Sequence, residues 1–111
     1  MAAWQFAIFE VYFHVGAAAL PMLRQIAFGE YDWTQGNALE VLVRLAASGI
    51  ERDTIVGEIS REIPRLRFEA LLYMAGPLLA QAKDNPEIAS ILRRFAHIPE
   101  WQEALADLDQ S

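Results

Sequence analysis

The sequence predicts an all-α fold, and three observations support that prediction. Apolar residues recur at helical spacing along the chain, and no stretch alternates between apolar and polar residues convincingly enough for a strand. Glycines and prolines divide the chain into segments of ordinary helix length. The linkers are short, so the 111 residues are expected to form a single domain. We expect six or seven antiparallel helices in stacked hairpins, as a short α-solenoid, with a compact helical bundle as the alternative.

The first two predicted helices are strongly apolar and meet at a glycine. The first covers about residues 3–14, and the second about residues 17–28. Gly16 separates them, because glycine weakens a helix and readily adopts turn conformations. They are expected to form the first hairpin.

The third predicted helix has signals at both ends. Asp32 is expected to cap its start, with Gln35, three residues later, completing a capping box. The helix runs to about Ser48. Gly49 then supplies a left-handed end, and Ile50 supplies the apolar contact that usually follows.

The fourth predicted helix is capped by Asp53 and ended by Pro64. Its apolar stripe consists of Ile55, Val56, Ile59 and Ile63. The fifth helix covers about residues 66–83 and contains Gly76-Pro77. An interior proline costs about 3 kcal/mol in a straight helix, so a kink or a break is expected there.

Two prolines mark the starts of the last two predicted helices. Asn85-Pro86 places a capping residue before a proline at the first helical position, and the sixth helix then runs to about Ala96. Ile98-Pro99 opens the seventh helix, which ends in the polar segment DLDQS.

The first, third and fifth helices share a pattern. FEVYFHV at 9–15, LEVLVRL at 39–45 and FEALLYM at 68–74 each place a glutamate after an apolar residue and before further apolar residues. The similarity is either the general one between amphipathic helices or a degenerate repeat with two helices per unit. A repeat predicts that Glu10, Glu40 and Glu69 occupy equivalent positions.

Residues 16–49 resemble the short bacterial HEAT-type helical repeats. Gly16 and the Ala-Leu-Pro of residues 19–21 are similar to the start of a second repeat helix, and Asp32, Ala38-Leu39 and Arg44-Leu45 to the first helix of the next repeat. The Asp-x-x-Val-Arg of many such repeats is replaced by DWTQG. The resemblance implies a scaffold that binds proteins, with no family-wide catalytic residues.

Composition limits the partners that the chain can have. The formal net charge of −6 argues against nucleic acid, because phosphate contacts need clustered positive charge. The longest uncharged stretch near the start, Val11 to Leu23, is shorter than the roughly 20 residues of a membrane span, so no membrane association is expected. The absence of cysteine favours a cytoplasmic location.

The candidate catalytic residues form no complete constellation. Glu10 and His14 share a helix face and could form half of a metal site, but a hydrogen-bonded pair on the polar edge of the first helix is the favoured interpretation. His97 has no nucleophile or orienting group at a recognisable spacing. We therefore predict no catalytic residues, no metal and no cofactor.

Arginines and aromatics suggest a surface for a protein partner. The candidate residues are Tyr31, Trp33, Arg61, Arg65, Arg67, Arg93 and Arg94. If folding brings the arginines together, they would line a groove for an acidic peptide. Nearby glutamates favour a solvated salt-bridge surface instead, and the aromatics could equally brace a helix start.

The first helix is apolar on more sides than one neighbour can cover. Its second apolar set contains Phe6, Phe9, Tyr12 and Phe13. Leaving two such aromatics in water would forgo about 3–6 kcal/mol. We therefore predict a homodimer through this helix, with burial inside a monomeric bundle as the alternative.

The sequence thus favours a non-enzymatic protein–protein interaction module, a helical-repeat scaffold or adaptor. The alternative is a small acidic inhibitor or immunity-type protein that masks a basic partner. Its acidic face would contain Glu100, Glu103, Asp107 and Asp109. A metal-dependent enzyme that uses Glu10 and His14 is a minor alternative.

Overall fold

The computed structural model describes residues 2–30 and 32–110, with the side chains of 7–30 and 32–109. In these ranges all regular structure is helical, so the all-α prediction is confirmed. The α-helices are α1 (Ala2–Val15), α2 (Leu20–Phe28), α3 (Gln35–Ala47), α4 (Arg52–Glu62), α5 (Phe68–Ala82), α6 (Pro86–Phe95) and α7 (Pro99–Gln110). Short 3₁₀ segments, Gly16–Ala19 and Ile63–Arg65, precede α2 and α5. None of the helices described is long and apolar enough to cross a bilayer.

The helices pack in an order that follows the chain. Helices α1, α3, α5 and α7 contact one another in that sequence, while α2, α4 and α6 contact α3. The radius of gyration is 12.8 Å, close to the roughly 13 Å expected for a compact chain of this length. Stacked hairpins and a compact bundle, the two predicted forms, are both consistent with this packing.

The core is centred on α3, which carries buried residues on most of its circumference. Its fully buried apolar residues include Ala38, Leu39, Val41, Leu42, Val43 and Ala46. The predicted stripe of α4 is also buried, and it packs into the same cluster. Near the C-terminal end, Phe95 and Trp101 meet edge to face with ring centroids 5.4 Å apart, which attaches α7 to α6.

Two helix ends are built as their local sequences predict. The backbone of Gly49 has φ +95°, and the Ile50 N–H donates to the carbonyl of Leu45 at 3.0 Å, which closes a Schellman end on α3. At the start of α6, the Asn85 side chain accepts from the N–H groups of Glu87 and Ile88 at 3.0 and 3.3 Å. Both predicted signals are confirmed.

The predicted capping box of α3 is wrong. The Asp32 carboxylate accepts from the N–H of Thr34 at 2.8 Å, one residue before the start of α3 at Gln35, and α3 has no side-chain cap. The Gln35 side chain is buried and points backwards, with Nε2 donating to the carbonyl of Ala27 at 2.8 Å and to that of Gly29 at 3.4 Å. The last carbonyls of α2 lack helical donors, and this amide satisfies them from the next helix.

Asp53 does not cap α4 either. The helix begins at Arg52. The residue before it, Glu51, has a left-handed backbone with φ +43° and makes no side-chain capping bond. Asp53 instead lies 96% exposed, with an oxygen 3.5 Å from Nη1 of Arg94. Of the kink or break expected at Gly76-Pro77, the break does not occur: α5 continues through Pro77.

The three glutamates of the proposed repeat do not share one environment. The side chains of Glu10 and Glu69 are about half exposed, at 50% and 54%, whereas that of Glu40 is only 12% exposed and contacts Gln81 of α5. Glu40 lies in the middle of α3, while Glu69 is the second residue of α5. The prediction of equivalent positions is therefore wrong.

Candidate functional site

The described residues form an open groove of about 730 Å³, a volume within the range of ligand sites in proteins. We call it the polar groove. It is lined by Glu10, Phe13, Asn37, Glu40, Arg44, Ser48, Pro77, Gln81, Asp84, Asn85 and Ile88. It therefore crosses three helices of one layer, α1, α3 and α5, and reaches the start of α6.

Helical periodicity aligns these side chains. On α3 and its end, Asn37, Glu40, Arg44 and Ser48 are three or four positions apart, so they fall on one face. On α5, Pro77 and Gln81 are four apart and form the facing row. The remaining circumference of α3 is buried in the core, so this polar row turns outward.

Arg44 ties α1 to α3 across the groove. Its guanidinium donates to both oxygens of the Glu10 carboxylate, with Nη2 3.2 Å from Oε2. It also lies 4.1 Å above the ring of Phe13. This bond with Arg44 holds the pKa of Glu10 below its ordinary value. The guanidinium is thus held by a carboxylate and an aromatic face.

Glu40 ties α3 to α5. Its Oε2 accepts from Nε2 of Gln81 at 2.7 Å and lies 3.7 Å from Nε of Arg44. Burial raises the pKa of Glu40 above its ordinary value, while the bond from Gln81 and the charge of Arg44 oppose that rise. Among the described residues both contacts engage Oε2, which leaves Oε1 able to accept from another donor.

The charged side chains that line the groove are mostly carboxylates. It contains three carboxylates and one guanidinium, so negative charge is in excess. The Ser48 hydroxyl donates to the carbonyl of Arg44 at 3.1 Å and is not paired with a base. Within the described ranges no group of three or more His, Asp or Glu side chains is placed to hold a metal ion.

The predicted Glu10–His14 pair is replaced by the Glu10–Arg44 pair. His14 is exposed, and its ring packs edge-on against that of Phe13, with centroids 5.6 Å apart. Arg44 lies 34 residues further along the chain and offers two donors to the carboxylate. A charged bidentate bond is stronger than the single bond that an imidazole can offer.

The predicted partner surface is divided between separate places. Arg65 lines two cavities of about 250 and 290 Å³ near the end of α4, the first with Arg67 and the second with Arg61. Arg93 and Arg94 line neither cavity, and Arg94 instead faces the start of α4. The two cavities are also lined by glutamates, and Nη1 of Arg65 forms an ion pair with Oε2 of Glu62 at 3.2 Å. Trp33 is 54% exposed, and Tyr31 lies outside the described residues.

The first helix is better covered than the sequence suggests. Phe9 is only 6% exposed and belongs to the core, and Tyr12 and Phe13 are partly buried against that core. The expectation that Phe9 is uncovered is therefore wrong, because α1 packs against α3 and the Gly16–Ala19 segment. The side chain of Phe6 lies outside the described residues. Among the described side chains of α1, the large apolar ones that are exposed are Val11 and Val15, at 58% and 52%.

Sequence reasoning did not identify the polar groove. Its central contacts join residues 34 and 41 positions apart, as in Glu10–Arg44 and Glu40–Gln81. One signal was present: polar residues at positions 37, 40 and 44 interrupt the otherwise apolar third helix at helical spacing. That row indicates an exposed face, but no local pattern shows which helices flank it.

Comparison with protein-family models gives no match. No curated protein matches the chain significantly. No solved structure matches it either. The geometry and chemistry of the groove therefore provide the basis for a functional proposal.

Proposed function

We propose that this chain is a non-enzymatic protein–protein interaction module that binds its partner along the polar groove. The observation that carries the proposal is the groove itself, which one face of α1, α3 and α5 forms side by side. Helices aligned in a layer present an extended surface of the kind that helical-repeat scaffolds use. The HEAT-like resemblance of residues 16–49 agrees with this interpretation.

The shape of the groove favours a polypeptide over a small molecule. Small-molecule sites enclose most of the ligand surface and are lined mainly by apolar side chains. This groove is open along its length, and carboxylates, amides and a guanidinium alternate with Phe13, Pro77 and Ile88. Such a mixture suits a chain that offers both polar and apolar side chains.

Affinity purification with matched variants tests the proposal. Asp84→Lys reverses one exposed charge in the groove. Asp107→Lys makes the same change at an exposed position of α7, away from the groove. A partner that wild type and Asp107→Lys recover, but Asp84→Lys loses, supports binding through the groove. Equal recovery by all three folded proteins refutes it. Circular dichroism of each variant confirms folding.

A second candidate property is self-association through α1, and one observation favours it. Val11 and Val15 are four positions apart and exposed, and Met22 on α2 is 49% exposed. A twofold axis would place the exposed valines of α1 against those of a second copy. Light scattering should then give a dimer of the 12.5 kDa chain, and Val11→Glu should convert it to a folded monomer. A monomeric wild type at high concentration rejects the dimer. Phe9→Glu is a poor test, because Phe9 is buried.

A further inference from the structure

We infer that the polar groove takes an extended, basic segment of a partner protein and seats a Lys or Arg side chain between Glu40 and Asp84. This inference rests on the proposed function, and it adds the chemistry of the segment that is bound. Three features of the groove support it: its excess of negative charge, the contacts that hold the Arg44 guanidinium, and an exposed aromatic residue at one end.

The charge of the groove selects against acidic segments. Its one cation, Arg44, already donates to both oxygens of Glu10, so it has little left to offer an anion. Asp84 is exposed, and the Oε1 atom of Glu40 takes part in neither of that residue's contacts among the described residues. Gln81 uses its amide nitrogen on Glu40, so its amide oxygen is also available as an acceptor. These remaining atoms, which are still able to form hydrogen bonds, are therefore all acceptors.

The groove already shows how it holds a guanidinium. Arg44 rests on Phe13 at 4.1 Å while carboxylates engage its nitrogens. A second cation beside Glu40 would meet the same kinds of group, with Pro77 and Ile88 along the stem of its side chain. Charge-assisted bonds of this type are stronger than neutral ones where burial reduces screening by water. Glu40, with its side chain 12% exposed, provides that burial.

An exposed aromatic residue extends the groove along α5. Tyr73 is 57% exposed and lies one turn before Pro77 on α5, against Gly36 in the first turn of α3. Large exposed aromatic rings are typical anchors for apolar and cationic side chains of a partner. Tyr73 would bind a second residue of the same segment.

The spacing of these features fixes a register for the segment. Gln81, which is bonded to Glu40 at the seat, lies eight residues after Tyr73 on α5, which corresponds to about 12 Å. An extended chain covers that distance in about four residues. The segment should therefore carry its seated Lys or Arg about four positions from an apolar or aromatic residue.

Titration with synthetic peptides tests the inference. The probes are fluorescently labelled 12-residue peptides of Ser and Gly that contain one Arg and one Leu, separated by one to six positions. A Glu replaces the Arg in the acidic controls. Fluorescence anisotropy should show that the basic peptides bind best at a spacing of about four and more weakly at high salt, because salt screens the charges. The acidic controls should not bind.

Matched variants locate the binding. Glu40→Gln keeps an acceptor for Gln81, so it is expected to fold, and Asp84→Asn removes an exposed charge. Each should weaken the best basic peptide about tenfold, the loss expected from one charge-assisted bond. Asp107→Asn on α7 should leave the affinity unchanged. Equal affinities for the three variants and wild type would overturn the inference.

The outcomes separate this inference from the proposed function. If no basic peptide binds, but Asp84→Lys still loses a partner in the affinity purification, the module stands and the basic segment is wrong. If basic peptides also fail to bind and that partner is retained, both are wrong. If acidic peptides bind better than basic ones, the inferred chemistry is reversed and fails.

Discussion

Gln35→Glu should destabilise the protein in a way that depends strongly on pH. The Gln35 side chain is 3% exposed, and its amide nitrogen donates to the carbonyl of Ala27 at 2.8 Å. Glutamate has nearly the same shape, but its ionised carboxylate has no hydrogen to donate. It would place an acceptor and a negative charge against a buried carbonyl oxygen.

The expected loss of unfolding free energy depends on whether the introduced carboxyl stays ionised or takes up a proton. A buried carbonyl left without its donor costs about 1–3 kcal/mol, and burial of the charge adds to this. Protonation of the carboxyl restores a donor. The free energy needed to protonate it therefore sets an upper limit on the loss of stability. From an ordinary Glu pKa of about 4.3, holding the proton at pH 7 costs about 4 kcal/mol, at 1.36 kcal/mol per pH unit. We expect a loss of about 2–4 kcal/mol at pH 7.

The sign of the pH dependence is determined by the same argument. Burial raises the pKa of the introduced carboxyl in the folded state, so the loss is present above that pKa and disappears as the pH falls. The difference in unfolding free energy between variant and wild type should shrink by up to about 1.4 kcal/mol per pH unit, towards less than about 1 kcal/mol near pH 4.

Urea denaturation followed by circular dichroism at pH 7, 6, 5 and 4 measures this difference. Gln25→Glu, on the exposed side of α2, is the control and should change stability by less than about 0.5 kcal/mol at each pH. A loss below about 1 kcal/mol for Gln35→Glu at pH 7, or a loss that does not diminish towards pH 4, would refute the assigned role of the amide.

Three further substitutions give distinct expectations in the same denaturation assay. Gly36→Ala should cost about 1–3 kcal/mol, because its Cβ would lie 2.5 Å from that of Tyr73, whereas Gly76→Ala meets nothing within 4 Å and should be neutral or stabilising; the reverse order would contradict the close approach of α3 and α5. Asn85→Ala should lose about 1 kcal/mol with the cap of α6, and Asp53→Ala less than about 0.5 kcal/mol; equal losses would argue against that cap. Glu40→Gln should raise stability at neutral pH, because the folded state raises the pKa of Glu40 and so disfavours its charge; the gain should vanish below the ordinary value of 4.5, and a constant gain would exclude this cause.

What the sequence predicted well is structure determined within a few residues. Gly49 ends α3 through its own backbone and that of Ile50, and Asn85 caps α6 through N–H groups two and three positions away. Such signals are complete in a short segment, and they located most of the helices. The buried stripe of α4 follows from periodicity for the same reason.

What the sequence did not predict depends on contacts between helices. Gln35 has the spacing of a capping box, but its amide serves the carbonyls of α2, which it reaches only because α2 and α3 pack together. Likewise, Glu10 prefers Arg44 to its neighbour His14 once α1 lies beside α3. The groove arises from three helix faces whose proximity no local pattern reveals, and for that reason the candidate site was assigned elsewhere.

The position of α3 also determines how the molecule opens. This helix contacts α1, α2, α4, α5 and α6, so its backbone amides become exposed to solvent only when most of the structure comes apart. Helix α7, at the end of its layer, packs mainly on α5 and the Ile63–Arg65 segment, so we expect it to detach at a lower free energy than α3. In native-state hydrogen exchange the amides of α3 should therefore exchange with the free energy of global unfolding, and those of α7 at a smaller one. The outward face of this slowest helix carries Glu40 and Arg44, so the middle of the polar groove sits on the most persistent part of the chain.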